Sequence, residues 1–133
     1  MDNLDLMNYW YNSANEDYNV MEVLFNNKKN SHALFFGHLT IEKMLKAIFA
    51  MKNESNPYAL KSHDLLLLAE KDELEMTERQ KDLLDIITRF NLNARYDDYK
   101  REFYKKCTDE YTSAQIENIK EVRQWLIQIL ETK

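Results

Sequence analysis

The residue types best suited to chemistry sit together in FNLNARYDDYK, Phe90 to Lys100. Arg95 offers a planar guanidinium fork for a phosphate. Tyr96 and Tyr99 offer ring faces on which a base can stack, and Asp97 or Asp98 can accept hydrogen bonds from a sugar or a base. Lys100 adds a cation. The same residues also admit a structural reading, in which Asp97 or Asp98 caps a helix and the two tyrosines pack on the bundle. From Arg89 to Lys106 there are six basic residues against three acidic ones, so the stretch is locally positive.

A second set lies in EKMLKA, where Glu42, Lys43 and Lys46 are close in sequence. Glu42 and Lys46 form an i,i+4 pair in the favourable order, worth a few tenths of a kcal/mol by itself. His38 and Glu42 also share a helix face, a spacing that two metal ligands could use. A zinc site needs further donors, and the other histidines, His32 and His63, do not obviously converge. A hydrogen-bonded core histidine is the simpler account, and neither a metal nor another cofactor is expected. Cys107 lies in a hydrophilic stretch beside Lys106 and Asp109, which gives it some thiolate character without an identified base. No glycine-rich phosphate loop, nucleophile elbow or HExxH pattern occurs, so no catalytic residue is assigned.

These residues must be positioned by helices. One Gly and one Pro in 133 residues leave little turn chemistry for a strand-rich fold. Apolar residues from Leu4 to Phe25 recur at gaps of three and four, as do those from Leu34 to Phe49. The second helix is expected to start at Asn30 or Ser31, and its Gly37 implies close packing that a Cβ would block. Ser62 is the expected N-cap of a short helix reaching about Lys71. Thr77 with Gln80, and Thr112 with Gln115, have capping-box spacing ahead of two further apolar-periodic segments. The expected fold is all-α: an antiparallel up-and-down bundle of five or six helices, forming one domain over residues 1–133.

A formal net charge of -5 argues against sequence-independent coating of nucleic acid, although a local basic patch can still hold RNA or a nucleotide. A single cysteine excludes an intramolecular disulfide. The first residues lack the basic and apolar regions of a signal peptide, and apolar runs are too short for a membrane span. A soluble cytoplasmic protein without membrane contact is expected.

Taken in order, WYNSANED, HALFFGHLTIEKMLKAIFA, SHDLLLLAE and ITRFNLNARYDDYKREFYKKCTDEYT, followed by a last helix with Trp125, resemble the HEPN family. The resemblance spans nearly the whole chain. It implies a helical bundle similar to the substrate-binding domain of kanamycin nucleotidyltransferase, a homodimer with a cleft at the subunit junction, and a separately encoded minimal nucleotidyltransferase as partner, in two-component or toxin–antitoxin pairs. Other members of the family are metal-independent ribonucleases, which rely on an arginine followed four to six residues later by a histidine. That pattern is absent, since no histidine follows Arg95 and His63 is the last one in the chain. The resemblance therefore implies a nucleotide- or RNA-binding subunit without ribonuclease activity, with Arg95, Tyr96, Asp97, Tyr99, Lys100 and His63 as candidate ligand contacts and Glu42, Lys43 and Lys46 as a second set. Two alternatives stand beside it. One is a toxin-like ribonuclease in which His63 reaches Arg95 from another helix; the other is a purely structural dimerisation module.

Overall fold

A computed structural model describes residues 2–132. Within them the chain forms α1 (Asn3–Asn26), α2 (Asn30–Lys52), α3 (Leu65–Lys71), α4 (Glu78–Arg95), α5 (Asp97–Lys106) and α6 (Asp109–Glu131), with no strand among the described residues. The expected all-α class agrees with this, and six helices lie within the expected five or six.

α2 is the axis of the bundle and touches every other helix. Its sequence explains that position. Ala33, Leu34, Ile41, Met44, Leu45, Ala47, Ile48 and Ala50 are all buried, so apolar residues cover several faces rather than one stripe. α1 and α6 are amphipathic and each buries a single side against it. Gly37 marks the closest approach. A Cβ built there would collide with the Cδ1 of Ile119 on α6 and lie 3.2 Å from the Sδ of Met21 on α1. The glycine thus brings α1, α2 and α6 together at one level of the core.

α2 starts at Asn30, as expected, although neither Asn30 nor Ser31 caps it, and the starts of α3 and α6 differ from expectation. The α2 N-cap is Lys29, which makes no side-chain capping bond. Asn30 instead turns its amide to the Cys107 carbonyl and the Asp109 carboxylate, tying α2 to the start of α6. For α3 the cap is Asp64, which accepts from the Leu67 amide, while Ser62, two residues earlier, accepts from the Asp64 amide. The α6 N-cap is Thr108, which accepts from the Tyr111 amide, so Thr112 is a buried residue inside the helix. The capping box of Thr77 and Gln80 is present with both reciprocal bonds. Asp97 and Asp98 cap nothing; they lie in the first turn of α5, where their charge suits the helix dipole.

Candidate functional site

The site grows from one face of α2. His38 and Glu42, one turn apart, point toward the loop before α3 and are both buried. His38 Nε2 lies 3.0 Å from the main-chain oxygen of His63. Because a carbonyl can only accept, Nε2 must carry the proton, and Nδ1 then accepts the weak 3.5 Å contact from the Asn91 amide on α4. Burial lowers the pKa of His38, so it remains a neutral hydrogen-bonding strut.

Glu42 collects donors from two sides. Its Oε1 is 2.7 Å from His63 Nδ1 and its Oε2 is 3.0 Å from Lys46 Nζ. Burial pushes the carboxyl up, but the bonds from His63 and Lys46 outweigh burial and hold it below the usual carboxylate range. Lys46 also lies over the Trp10 ring, 5.1 Å from its centroid.

With Nδ1–H given to Glu42, His63 presents the lone pair of Nε2 outward. Arg95 Nη1, at the end of α4, lies 3.1 Å from it. The result is one continuous chain: Lys46, Glu42, His63, Arg95. Its inner half is buried, whereas the His63 side chain is 54% exposed. Chemically, it is an imidazole oriented by a carboxylate and placed against a guanidinium, as general base and anion stabiliser would need to be.

Arg95 also lines a cavity of about 610 Å³ between α2, α4 and α5. The faces that form it follow from helical spacing. Ser31, His32, Phe35 and Phe36 recur on one side of α2, and Asp97, Lys100, Arg101 and Tyr104 on one side of α5. Buried Phe103, whose ring lies 5.9 Å from that of Phe90, joins their lining.

The sequence candidates therefore divide. Arg95, His63, Glu42 and Lys46 converge; Asp97 and Lys100 join Arg95 at the cavity. Tyr96 and Tyr99 are outside its lining and exposed, so neither packs on the bundle as the structural reading expected. Lys43 turns the other way and holds Asp17 and Ser13 of α1, each at 2.7 Å. Cys107 is buried and its thiol is pushed up to about 11 by that burial, which overturns the expected thiolate character. Sequence reasoning missed Asn91 and the two phenylalanines of α2. The i, i+1, i+4, i+5 spacing of Ser31, His32, Phe35 and Phe36 was the available signal.

No helix among the described residues is long and apolar enough to cross a membrane. Comparison with curated proteins and with solved structures finds no match. The family model described as HEPN domain does match, over residues 7–130. With nearly all of the chain inside that match, the protein belongs to the HEPN domain family.

Proposed function

We propose that this HEPN protein binds a nucleotide or an RNA strand through a phosphate held at the Arg95–His63 corner. The observation that carries the reading is the 3.1 Å contact between His63 and Arg95, which lines a cavity together with Lys100 and Arg101. In the free protein the guanidinium donates to a neutral imidazole. An anionic phosphate oxygen is the stronger acceptor, so a ligand takes Arg95 over and releases His63 Nε2. Lys100 and Arg101 supply further positive charge along the cavity, against the single carboxylate of Asp97. Family membership supports a nucleotide-related role, and the proposal extends to a homodimer that works with a separately encoded minimal nucleotidyltransferase. Exposed Leu92, Tyr96 and Tyr99 provide apolar surface for a partner subunit beside the corner. Calorimetric titration with AMP, GMP and a short single-stranded RNA tests the binding. Heat that disappears in Arg95→Ala is expected; no heat with any of the three would overturn the reading.

The alignment of Glu42, His63 and Arg95 favours a second reading, ribonuclease action from a non-standard pair. His63 Nε2 would take the ribose 2′-OH proton while O2′ attacks phosphorus. Arg95 would neutralise the pentavalent phosphorane, and the 5′-oxygen would leave with a proton from water. RNA incubated with the protein and analysed for 2′,3′-cyclic phosphate ends separates the readings. Intact RNA leaves binding alone; cleavage abolished by His63→Ala establishes the second.

A further inference from the structure

The cavity beside Arg95 has features that phosphate binding does not use. A phosphate needs only the cations, yet the lining also carries two phenylalanine rings from α2 and, on α5 beside Lys100 and Arg101, the ring of Tyr104. Phe35 and Phe36 meet edge to face, with ring centroids 5.9 Å apart. Phe36 packs against the core, whereas Phe35 is not part of that cluster and is half-buried at the cavity. Across from it Tyr104 is 72% exposed, an unusual position for a ring that lines a pocket. At about 610 Å³ the space lies within the range of small-molecule sites. Its charge is asymmetric: Arg95, Lys100 and Arg101 against Asp97, which already lies 3.5 Å from Lys100.

Resting on the phosphate assignment above, we infer that this cavity is a nucleobase pocket. The ligand is a nucleotide unit, free or at the end of a single strand, whose phosphate meets Arg95 and whose base stacks between Phe35 and Tyr104. The charge pattern selects the occupant. An apolar peptide helix would leave Arg95 and Arg101 without a counter-charge, whereas a nucleotide supplies one anionic end and one flat aromatic end. A base has a π-face whichever base it is, so stacking here confers little sequence preference. Any discrimination falls to the polar groups at the edge, Ser31, Asn93 and Asp97.

The test compares ligands that differ only in the base. Ribose 5-phosphate, AMP and a 5′-phosphorylated RNA pentanucleotide are titrated into the wild type, Phe35→Ala, Tyr104→Ala and Arg95→Ala. AMP and the pentanucleotide are expected to bind about tenfold more tightly than ribose 5-phosphate, the ratio that one stacked base supplies. Phe35→Ala and Tyr104→Ala should lower that ratio toward one and leave ribose 5-phosphate binding unchanged, while Arg95→Ala weakens all three. Parity of AMP with the pentanucleotide identifies a free nucleotide as ligand, and preference for the pentanucleotide identifies an RNA end. Wild-type protein that binds ribose 5-phosphate as tightly as AMP overturns the base pocket but leaves the phosphate corner standing. A base preference untouched by either aromatic substitution does the same, since the base then lies elsewhere. Failure of all three ligands to bind overturns both. Tyr104 is too exposed for its loss to prevent folding, so its variant remains readable if Phe35→Ala is unstable.

Discussion

Two buried carboxyl groups in this protein behave in opposite ways. Glu42 is 5% exposed and Asp72 is 2% exposed. Glu42 accepts from His63 and Lys46 and is held below the ordinary carboxylate range, so it is charged at neutral pH. At the end of α3, Asp72 has an Oδ2 with no hydrogen-bond partner, and burial pushes its carboxyl up to about 8. Lys52 is nearby, but its ammonium bonds to the main-chain oxygen of Asp72 and not to the side chain. Burial alone therefore does not decide the state of a carboxyl; the donors aimed at it do. Only the group with donors orients a neighbour that reaches the surface.

The comparison is open to direct attack. Glu42→Ala should have the largest effect, a loss of about 3 kcal/mol in denaturant unfolding, because the largely buried Lys46 is left without its carboxylate. Glu42→Gln should lose less, since the amide oxygen can still accept from one of the two donors.

Asp72→Asn is expected to act with the opposite sign. The folded state retains the Asp72 proton up to about pH 8, while an unfolded aspartate releases it near pH 4. Between those values the native form binds more protons, so stability falls as pH rises. Calorimetric melting from pH 4 to pH 8 should show this decline in the wild type and a flatter profile in Asp72→Asn, which becomes more stable by about 1 kcal/mol or more at pH 8. Glu42 works the other way. Its depressed pKa stabilises the protein above the ordinary glutamate range, and that contribution is lost as pH falls through the folded value. By themselves the two favour a maximum on the acidic side of neutrality, while buried His38, with its lowered pKa, adds stability as pH rises through the ordinary imidazole range. A profile rising steadily from pH 4 to pH 8 would refute the contrast.

Gly37→Ala should cost about 1 kcal/mol net, since overpacking against Ile119 exceeds the gain in helix propensity. The smallest change in stability is expected for Arg95→Ala, within about 0.5 kcal/mol, because that side chain is exposed. A variant that melts like the wild type yet no longer binds phosphate would separate the outer half of the network from the inner one.

How far the sequence could be read depends on the range of each interaction. Helical periodicity is local, so α1, α2, α3, α4 and α6 were legible in outline, and so was the close packing around Gly37, whereas α5 was only one of two readings of its stretch. Starts of helices were less so. Thr112 and Gln115 have the spacing of a capping box, yet Thr108 begins the helix one turn earlier, and the motif has meaning only where the preceding chain is not helical. The pair of Glu42 with Lys46 was visible because both lie on one turn. Contacts that bring His63 to Arg95 and to Glu42 join residues far apart in the chain and depend on how α2, α4 and the intervening loop pack. Cys107 misled because its sequence neighbours are hydrophilic while its own side chain faces the core.

The clamp on the loop before α3 has a consequence for redesign. His38 holds residue 63 by its main-chain oxygen, the Ser62 hydroxyl accepts from the amide of Asp64, and Thr88 accepts from the amide of Leu65. These anchors grip the backbone and are indifferent to which side chain position 63 carries. Position 63 is thus an exchangeable tool in a fixed socket. A glutamine or an unnatural imidazole analogue placed there would start from the same backbone point, so the group offered to Glu42 and Arg95 can be varied while the loop keeps its course.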